Sequence, residues 1–169
     1  MINKLLVWRD EWSLGIGVLD ADHRVLINNL IDISLRFCPQ AAPLAAPLGG
    51  RGPGPAADTR SGPRDLIEAL IDFGNKVRIH CRREETFMRA IGYAGADAHA
   101  VEHVGLLARF DALVWEWRSQ QVRVFDEAAQ EAVRHWLISH ILASDREFAR
   151  FYFALCGLDE RGRENACGG

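Results

Sequence analysis

The sequence predicts an all-α protein, folded as an antiparallel up-down four-helix bundle with a non-periodic segment at its N-terminus. Three observations support this fold class. Four segments repeat apolar residues at steps of three and four, no segment alternates like a strand, and the 169 residues fit one domain with a substantial core. Because each amphipathic helix must bury its apolar stripe against another helix, four of them in a small domain favour a bundle.

The first two predicted helices are separated by a long break. The first extends from about Asp20 to Phe37, and the second begins after Pro63, because proline suits the first turn of a helix, and extends to about Ile91. Their apolar stripes are Leu26, Leu30, Ile33 and Phe37 in the first helix, and Leu66, Leu70, Phe73, Val77, Phe87, Met88 and Ile91 in the second.

The last two predicted helices carry the same spacing. Asp97 is the expected N-cap of the third helix, and the fourth starts near Asp126 and ends before Gly157, since glycine commonly stops a helix. Their apolar stripes are Leu106, Phe110, Leu113 and Trp117 in the third helix, and Val133, Leu137, Phe148, Phe151 and Leu155 in the fourth.

The whole chain, residues 1–169, is predicted to form a single domain with two irregular stretches. Residues 39–63 hold all six prolines and several glycines, so we interpret them as a flexible surface insertion between the first two helices. We interpret this insertion as an inert linker, and the alternative is that it binds a partner. The tail, residues 157–169, is expected to fray, whereas Trp8, Trp12 and Ile16 are expected to pack against the bundle.

The composition argues against several functional classes. An apolar content of 49% and a charged content of 25% are ordinary for a globular protein, and the net charge of −3 gives no electrostatic basis for binding nucleic acid or an anionic membrane. The first residues have too short an apolar run for a signal peptide and no stretch could span a bilayer, so we expect a cytoplasmic location. The four widely spaced cysteines indicate reduced thiols.

Polar residues interrupt the apolar stripes of all four predicted helices. In the motif HAVEH, for example, His99 and His103 lie one helical turn apart ahead of Leu106. A buried polar group without a partner is costly, and neutral imidazoles have one donor each, so they satisfy one another poorly. A pair of metal ions satisfies them better, because imidazole binds iron, copper, nickel and zinc, and carboxylates can bridge two cations. The interrupting residues are His23, His80, Glu84, His99, His103 and His140.

Asp145 joins this set only if the fourth helix departs from α-helical geometry. It follows His140 by five residues, which is about 140° around an ideal helix and would part the two side chains. We hypothesise a local π-type widening between Ile141 and Ser144 that turns Asp145 inwards, since such bulges favour functional sites. The alternative is a solvated aspartate on an unbroken α-helix.

Four motifs, one in each predicted helix, together resemble the hemerythrin family, specifically the single-domain bacterial hemerythrins. The motifs are IGVLDADH (16–23), HCRREETFM (80–88), HAVEH (99–103) and WLISHILASD (136–145). The resemblance implies an antiparallel four-helix bundle around a non-haem di-iron centre with an oxo or hydroxo bridge. The resemblance also implies how the ligands are shared between the two irons. One iron is held by His99, His103 and His140. The other is held by His23 and His80 and keeps an open position, and Glu84 and Asp145 bridge the two.

The resemblance implies reversible dioxygen binding. Five histidines make this ligand set less anionic than the glutamate-rich set of ferritin-like di-iron proteins, which favours reversible binding over oxygen activation. We therefore expect an oxygen carrier, store or scavenger rather than an enzyme, with dioxygen as its small-molecule partner. The alternatives are an oxygen or redox sensor that acts through a separate partner protein, and a di-iron oxidase or peroxidase. Manganese or zinc remains an alternative to iron.

The resemblance also implies an apolar oxygen pocket, formed by Leu26, Trp136, Leu137 and Ile141 around the open position. Cys81 stands where the family usually has phenylalanine, and a smaller side chain that admits water predicts faster autoxidation. We interpret Cys81 as a small buried hydrophobe rather than a redox thiol. Asp22 stands where the family usually has glutamine and is interpreted as a solvated carboxylate, Asp20 is expected to help cap the first helix, and His135 is interpreted as peripheral.

Overall fold

The computed structural model describes residues 8–38 and 65–157. These residues form five α-helices, one 3₁₀ turn and one π turn, and they contain no strand. The elements in chain order are the 3₁₀ turn Asp10–Trp12, α1 Gly17–Phe37, α2 Leu66–Ala90, α3 Ala96–Ser119, α4 Glu127–His140, the π turn Ile141–Asp145 and α5 Arg146–Leu155.

The all-α four-helix bundle predicted from the sequence is confirmed. The segments α4, π turn and α5 follow one another without a break and form the fourth rod of the bundle. Short connections join α2 to α3 and α3 to α4, as is usual between antiparallel neighbours. Residues 39–63 and 158–169, the predicted insertion and most of the predicted tail, lie outside the described residues. Within the described ranges, no helix is long and apolar enough to cross a membrane.

Side-chain caps set the starts of two helices. The carboxylate of Asp65 accepts the N–H of Glu68 at 2.9 Å at the start of α2, and that of Asp126 accepts the N–H of Ala129 at 2.9 Å at the start of α4. The prediction that Asp97 caps α3 was wrong. Gly95 is the N-cap, and Asp97 is a fully exposed residue of the first turn, because Ala96 is drawn into the core as the first helical residue.

The N-terminal segment packs against the bundle, as expected. Trp12 and Ile16 are buried in the core, and Trp8 packs against it. Asp20 holds this segment in place, since its carboxylate accepts the N–H of Leu14 at 2.7 Å and of Gly15 at 3.0 Å. Asp20 therefore fixes the segment that leads into α1. It does not cap the N–H groups of the first turn of the helix.

The π turn changes the phase of the helix that follows it. A π turn holds more residues per turn than an α-helix, so every later side chain is rotated relative to an unbroken helix. This rotation buries Ala149 and Phe153. It also turns Leu155, predicted to lie on the apolar stripe, out to 59% exposure.

Candidate metal centre

All seven residues predicted as metal ligands come together inside the bundle. Each rod contributes to the cluster: α1 supplies one histidine, α2 and α3 supply two donors each, and the fourth rod supplies the last two. Six of the side chains are buried and that of His140 is 9% exposed. The cluster consists of His23 from α1, His80 and Glu84 from α2, His99 and His103 from α3, His140 from α4 and Asp145 from the π turn.

The donor atoms form two groups. In each group one donor atom from every member lies within 4.8 Å of the others, and Asp145 belongs to both groups. The five-donor group is Glu84, His99, His103, His140 and Asp145, and the three-donor group is His23, His80 and Asp145.

Asp145 connects the two groups through its two oxygens. Its Oδ1 lies 3.0 Å from Nε2 of His140 and 3.3 Å from Nε2 of His99, and its Oδ2 lies 3.4 Å from Nε2 of His23. This position depends on the π turn, which spans Ile141–Asp145 and leaves Asp145 fully buried. The local widening hypothesised from the sequence is therefore present.

Glu84 is the second carboxylate between the groups. Its Oε2 lies 3.3 Å from Nε2 of His103 and 3.4 Å from Nε2 of His99 in the five-donor group, and 3.9 Å from Nε2 of His80 in the three-donor group. Glu84 follows His80 by four residues on α2, so both side chains lie on the same face of that helix. Asp145 thus belongs to both groups, whereas Glu84 belongs to the five-donor group and approaches the three-donor group at His80.

The donor set fits a pair of metal ions. Both oxygens of Glu84 and of Asp145, and Nε2 of His99, His103 and His140, are buried without a hydrogen-bond partner in the described structure. Such a concentration of unsatisfied buried groups is rare in a folded protein and calls for an explanation, such as an ion. The nitrogens of His23 and His80 lie 3.0 Å apart, a separation that fits either a hydrogen bond or two ligands about 2.1 Å from one ion.

The two carboxylates are held in their ionised form. Burial would raise the pKa of Asp145, but contacts with His140, His23 and His99 hold it well below its usual range. Burial would likewise lower the pKa of His99, but Asp145 and Glu84 outweigh it and raise this pKa to about 10. The two buried anions therefore favour a positive partner, which is a proton on His99 in the metal-free site and a metal ion when one displaces that proton.

Two carboxylates outside the cluster face the outer ring nitrogens of its histidines. Oε1 of Glu85 lies 3.0 Å from Nδ1 of His103, and Oδ2 of Asp22 lies 3.6 Å from Nδ1 of His80. Sequence reasoning missed Glu85, although it directly follows Glu84. Asp22, interpreted as solvated, is in fact half-buried, with 22% of its side chain exposed, and it lies outside both donor groups between Arg83 and His80.

The predicted oxygen-pocket residues are in the interior. Leu26, Cys81, Leu137 and Ile141 are buried, and Trp136 is half-buried against the core. Each lies within about one helical turn of a residue of the cluster. Burial raises the pKa of the Cys81 thiol far above its usual range, so the thiol stays neutral. His135 is exposed and lies outside the cluster, as interpreted from the sequence.

A comparison with protein families gives a match over most of the chain. Residues 14–152 match the family described as hemerythrin HHE cation binding domain. This range contains all seven residues of the cluster.

Individual relatives agree with the family match. The chain is 33% identical to a bacteriohemerythrin of Methylococcus capsulatus over 84% of this chain and 92% of that protein, and 26% identical to one of Stenotrophomonas maltophilia over 98% and 92%. Among solved structures, a leucine-to-alanine mutant of hemerythrin superposes with a TM-score of 0.61 at 22% identity, over 86% of this chain and 95% of that one. This structural likeness bears on the fold alone.

Proposed function

Because the chain belongs to the hemerythrin family, we propose that its buried cluster holds two iron ions and uses them to bind dioxygen reversibly. The observation that carries this proposal is the convergence of five histidines and two carboxylates whose inward-facing atoms include seven without a hydrogen-bond partner. A purely structural core would not keep so many unsatisfied polar atoms together.

The two donor groups suggest how the ions are shared. The five-donor group would hold one iron through His99, His103 and His140, and the three-donor group would hold the other through His23 and His80. Glu84 and Asp145 would contact both ions. The second iron then has fewer protein ligands, so it is the one with room for an exogenous molecule.

Reversible dioxygen binding would depend on the metal ions for electrons. The protein would set the charge of the site and limit the access of water. When bound, two ferrous ions supply the electrons that reversible dioxygen binding requires. The two carboxylates offset part of the charge of the metals, while the five neutral imidazoles add none. The site is thereby less anionic than one built mainly from carboxylates, which favours binding over further oxidation chemistry.

The apolar residues around the cluster would keep water out. Leu26 follows His23 by three residues, and Leu137 precedes His140 by three, so both side chains lie beside donors of the cluster. They and Ile141 are at most 2% exposed. A dry pocket admits dioxygen and restricts the protons and water that would let reduced oxygen leave and so leave the centre oxidised.

The first experiment is an iron count combined with a visible spectrum. The full chain is loaded with ferrous iron, reduced without air, exposed to air and then deoxygenated. We expect about two irons per chain, from the two donor groups, and a charge-transfer band that appears with air and fades when dioxygen is removed. Sustained consumption of dioxygen with an added reductant would instead indicate an oxidase, and a band that never forms would contradict reversible binding.

A matched pair of variants links this result to the cluster. Asp145→Asn removes a charge shared by both donor groups and is expected to lower the iron content and abolish the reversible band. Asp97→Asn makes the same change on a side chain that is 96% exposed, and is expected to leave both unchanged. Equal effects of the two substitutions would contradict the assignment of Asp145 to the centre.

A further inference from the structure

The outer ring nitrogens of the clustered histidines differ in what they face. A histidine that binds a metal through one nitrogen has a second nitrogen, and a carboxylate that accepts its N–H fixes the ring and makes the ligand more basic. Nδ1 of His103 faces Glu85 at 3.0 Å, and Nδ1 of His80 faces Asp22 at 3.6 Å. Nδ1 of His23 is buried without a hydrogen-bond partner among the described residues. Each donor group thus has one histidine with a carboxylate behind it.

Asp22 is held in place by an arginine from the neighbouring helix. Arg83 follows His80 by three residues on α2, so the two side chains lie on the same face of that helix. Nη1 of Arg83 lies 3.3 Å from Oδ1 and 3.4 Å from Oδ2 of Asp22 on α1. The guanidinium therefore holds the Asp22 carboxylate at the boundary between the two helices, beside His80.

The contact between Asp22 and His80 is slightly longer than a hydrogen bond, and the Asp22 carboxylate is already paired with Arg83. A distance of 3.6 Å is beyond hydrogen-bond range. Nδ1 of His80 is nevertheless buried, with no hydrogen-bond partner in the described parts of the chain. A buried N–H group strongly favours an acceptor, and a small rotation of the Asp22 side chain would supply one.

We propose that Asp22 is a positioning residue of the metal centre, which accepts a hydrogen bond from Nδ1 of His80 and so tunes the ion held by the three-donor group. The proposal rests on the proposed function and deepens it. The negative charge behind His80 makes the imidazole a stronger donor to the metal, which stabilises the ferric state more than the ferrous state. A neutral side chain at this position would lack that charge.

The carboxylate at position 22 thereby has a functional consequence for this chain. Asp22 acts on the three-donor group, which has room for dioxygen, whereas Glu85 acts through His103 on the five-donor group. The two outer carboxylates can therefore be tested separately. An effect of Asp22 on the three-donor group alone is what distinguishes a positioning role from a general effect of surface charge.

Zinc titration of the metal-free full chain tests the proposal without any oxygen chemistry. The five-donor group is expected to fill first and the three-donor group second. Asp22→Asn should weaken the second step by ~10–100-fold and leave the first unchanged, and Glu85→Gln should weaken the first. Asp32→Asn, the same charge change on an exposed part of α1, is the matched control and should alter neither step.

The reduction potential of the iron-loaded chain is the second measurement. Asp22→Asn should raise the midpoint potential of one iron, and a tenfold loss of preference for the ferric state corresponds to ~59 mV for one electron. Asp32→Asn should leave the potential unchanged. Circular dichroism of each variant verifies that the helices are intact.

The possible outcomes separate this proposal from the proposed function. An unchanged second zinc step in Asp22→Asn, or equal changes in Asp22→Asn and Asp32→Asn, would overturn the role of Asp22. If the zinc steps respond as expected but the iron-loaded chain fails to bind dioxygen reversibly, the positioning role stands and the proposed function fails. A wild-type chain that binds only one zinc ion would overturn both, since the three-donor group would then hold no ion.

Discussion

The indole N–H of Trp136 on α4 donates a hydrogen bond of 2.8 Å to the carbonyl oxygen of Leu106 on α3. Leu106 follows His103 by three residues and Trp136 precedes His140 by four, so this bond joins the two helices one turn from two donors of the cluster. The Trp136 ring also stacks on Phe110, with ring centroids 4.6 Å apart. Trp136 therefore helps to set the spacing between the histidines of α3 and α4.

Replacing Trp136 by phenylalanine should destabilise the protein. The variant keeps an aromatic ring but loses the hydrogen bond and leaves the carbonyl of Leu106 with one partner fewer, at a cost of about 1–2 kcal/mol in the free energy of unfolding. Urea denaturation of Trp136→Phe measures the change. Trp115→Phe is the matched control, because Trp115 is 71% exposed on α3; a change below about 0.5 kcal/mol is expected there. Equal losses in the two variants would contradict a special role for Trp136.

Removal of metal should lower the melting temperature. Without ions, the cluster leaves buried carboxylate and imidazole atoms unsatisfied. An ion present at about a thousand times its dissociation constant stabilises the folded state by ~4 kcal/mol, which for a chain of this size is a shift of about 8–16 °C. Calorimetry before and after treatment with a chelator, and again after metal is restored, measures this shift.

Two histidine variants identify the source of that stabilisation. His103→Leu removes a donor of the five-donor group and should shrink the difference between the metal-bound and metal-free melting temperatures. His135→Leu changes an exposed histidine outside the cluster and should preserve the difference. Loss of the difference in His135→Leu alone would place the metal elsewhere.

Cys81→Phe should slow autoxidation of the iron-loaded protein. Cys81 is 3% exposed and directly follows His80, so a larger side chain there reduces the room for water near the three-donor group. Overpacking can cost stability, so the melting temperature is measured alongside the rate at which the oxygenated spectrum decays. Cys81→Ala removes the thiol without filling space and should not slow the decay. If Cys81→Ala slows it as much as Cys81→Phe, the thiol and not the space is responsible.

Two glycine-to-alanine substitutions should change stability in opposite directions. A Cβ atom on Gly74 of α2 would lie 2.9 Å from the ring of Phe110, so Gly74→Ala forces α2 and α3 apart and should cost about 1–3 kcal/mol. A Cβ on Gly105 of α3 meets only the end of the Arg109 side chain, at 3.5 Å. Gly105→Ala should therefore stabilise by about 0.5–1 kcal/mol through helix propensity. The free energies of unfolding from urea titrations test both, and destabilisation by Gly105→Ala would contradict the argument.

Much of the fold and of the inward-facing cluster could be predicted because it depends on spacing along one helix. The pair His99 and His103, and the pair His80 and Glu84, are each four residues apart, so a helix places both members on one side. Their position on otherwise apolar stripes was enough to indicate that they face the core. The inward orientation of Asp145 also followed from local geometry, because the predicted fourth helix included a π turn before it.

Other features depend on how the helices are rotated and on which side chains meet between them. The spacing around Asp97 resembles a helix start, but Ala96 is drawn into the core and the cap falls at Gly95. Glu85 and Asp22 look like surface residues in the sequence, and only the packing of α2 against α3 and α1 brings them to the outer nitrogens of His103 and His80.

The sequence by itself determined the four amphipathic segments and the seven polar residues that interrupt or adjoin their buried faces, because helical periodicity relates residues that are near in the chain. The tertiary structure alone decided the distances between donors of different helices, and which carboxylates support the histidines from behind. These relationships join different helices, and their distances depend on packing that no local spacing encodes.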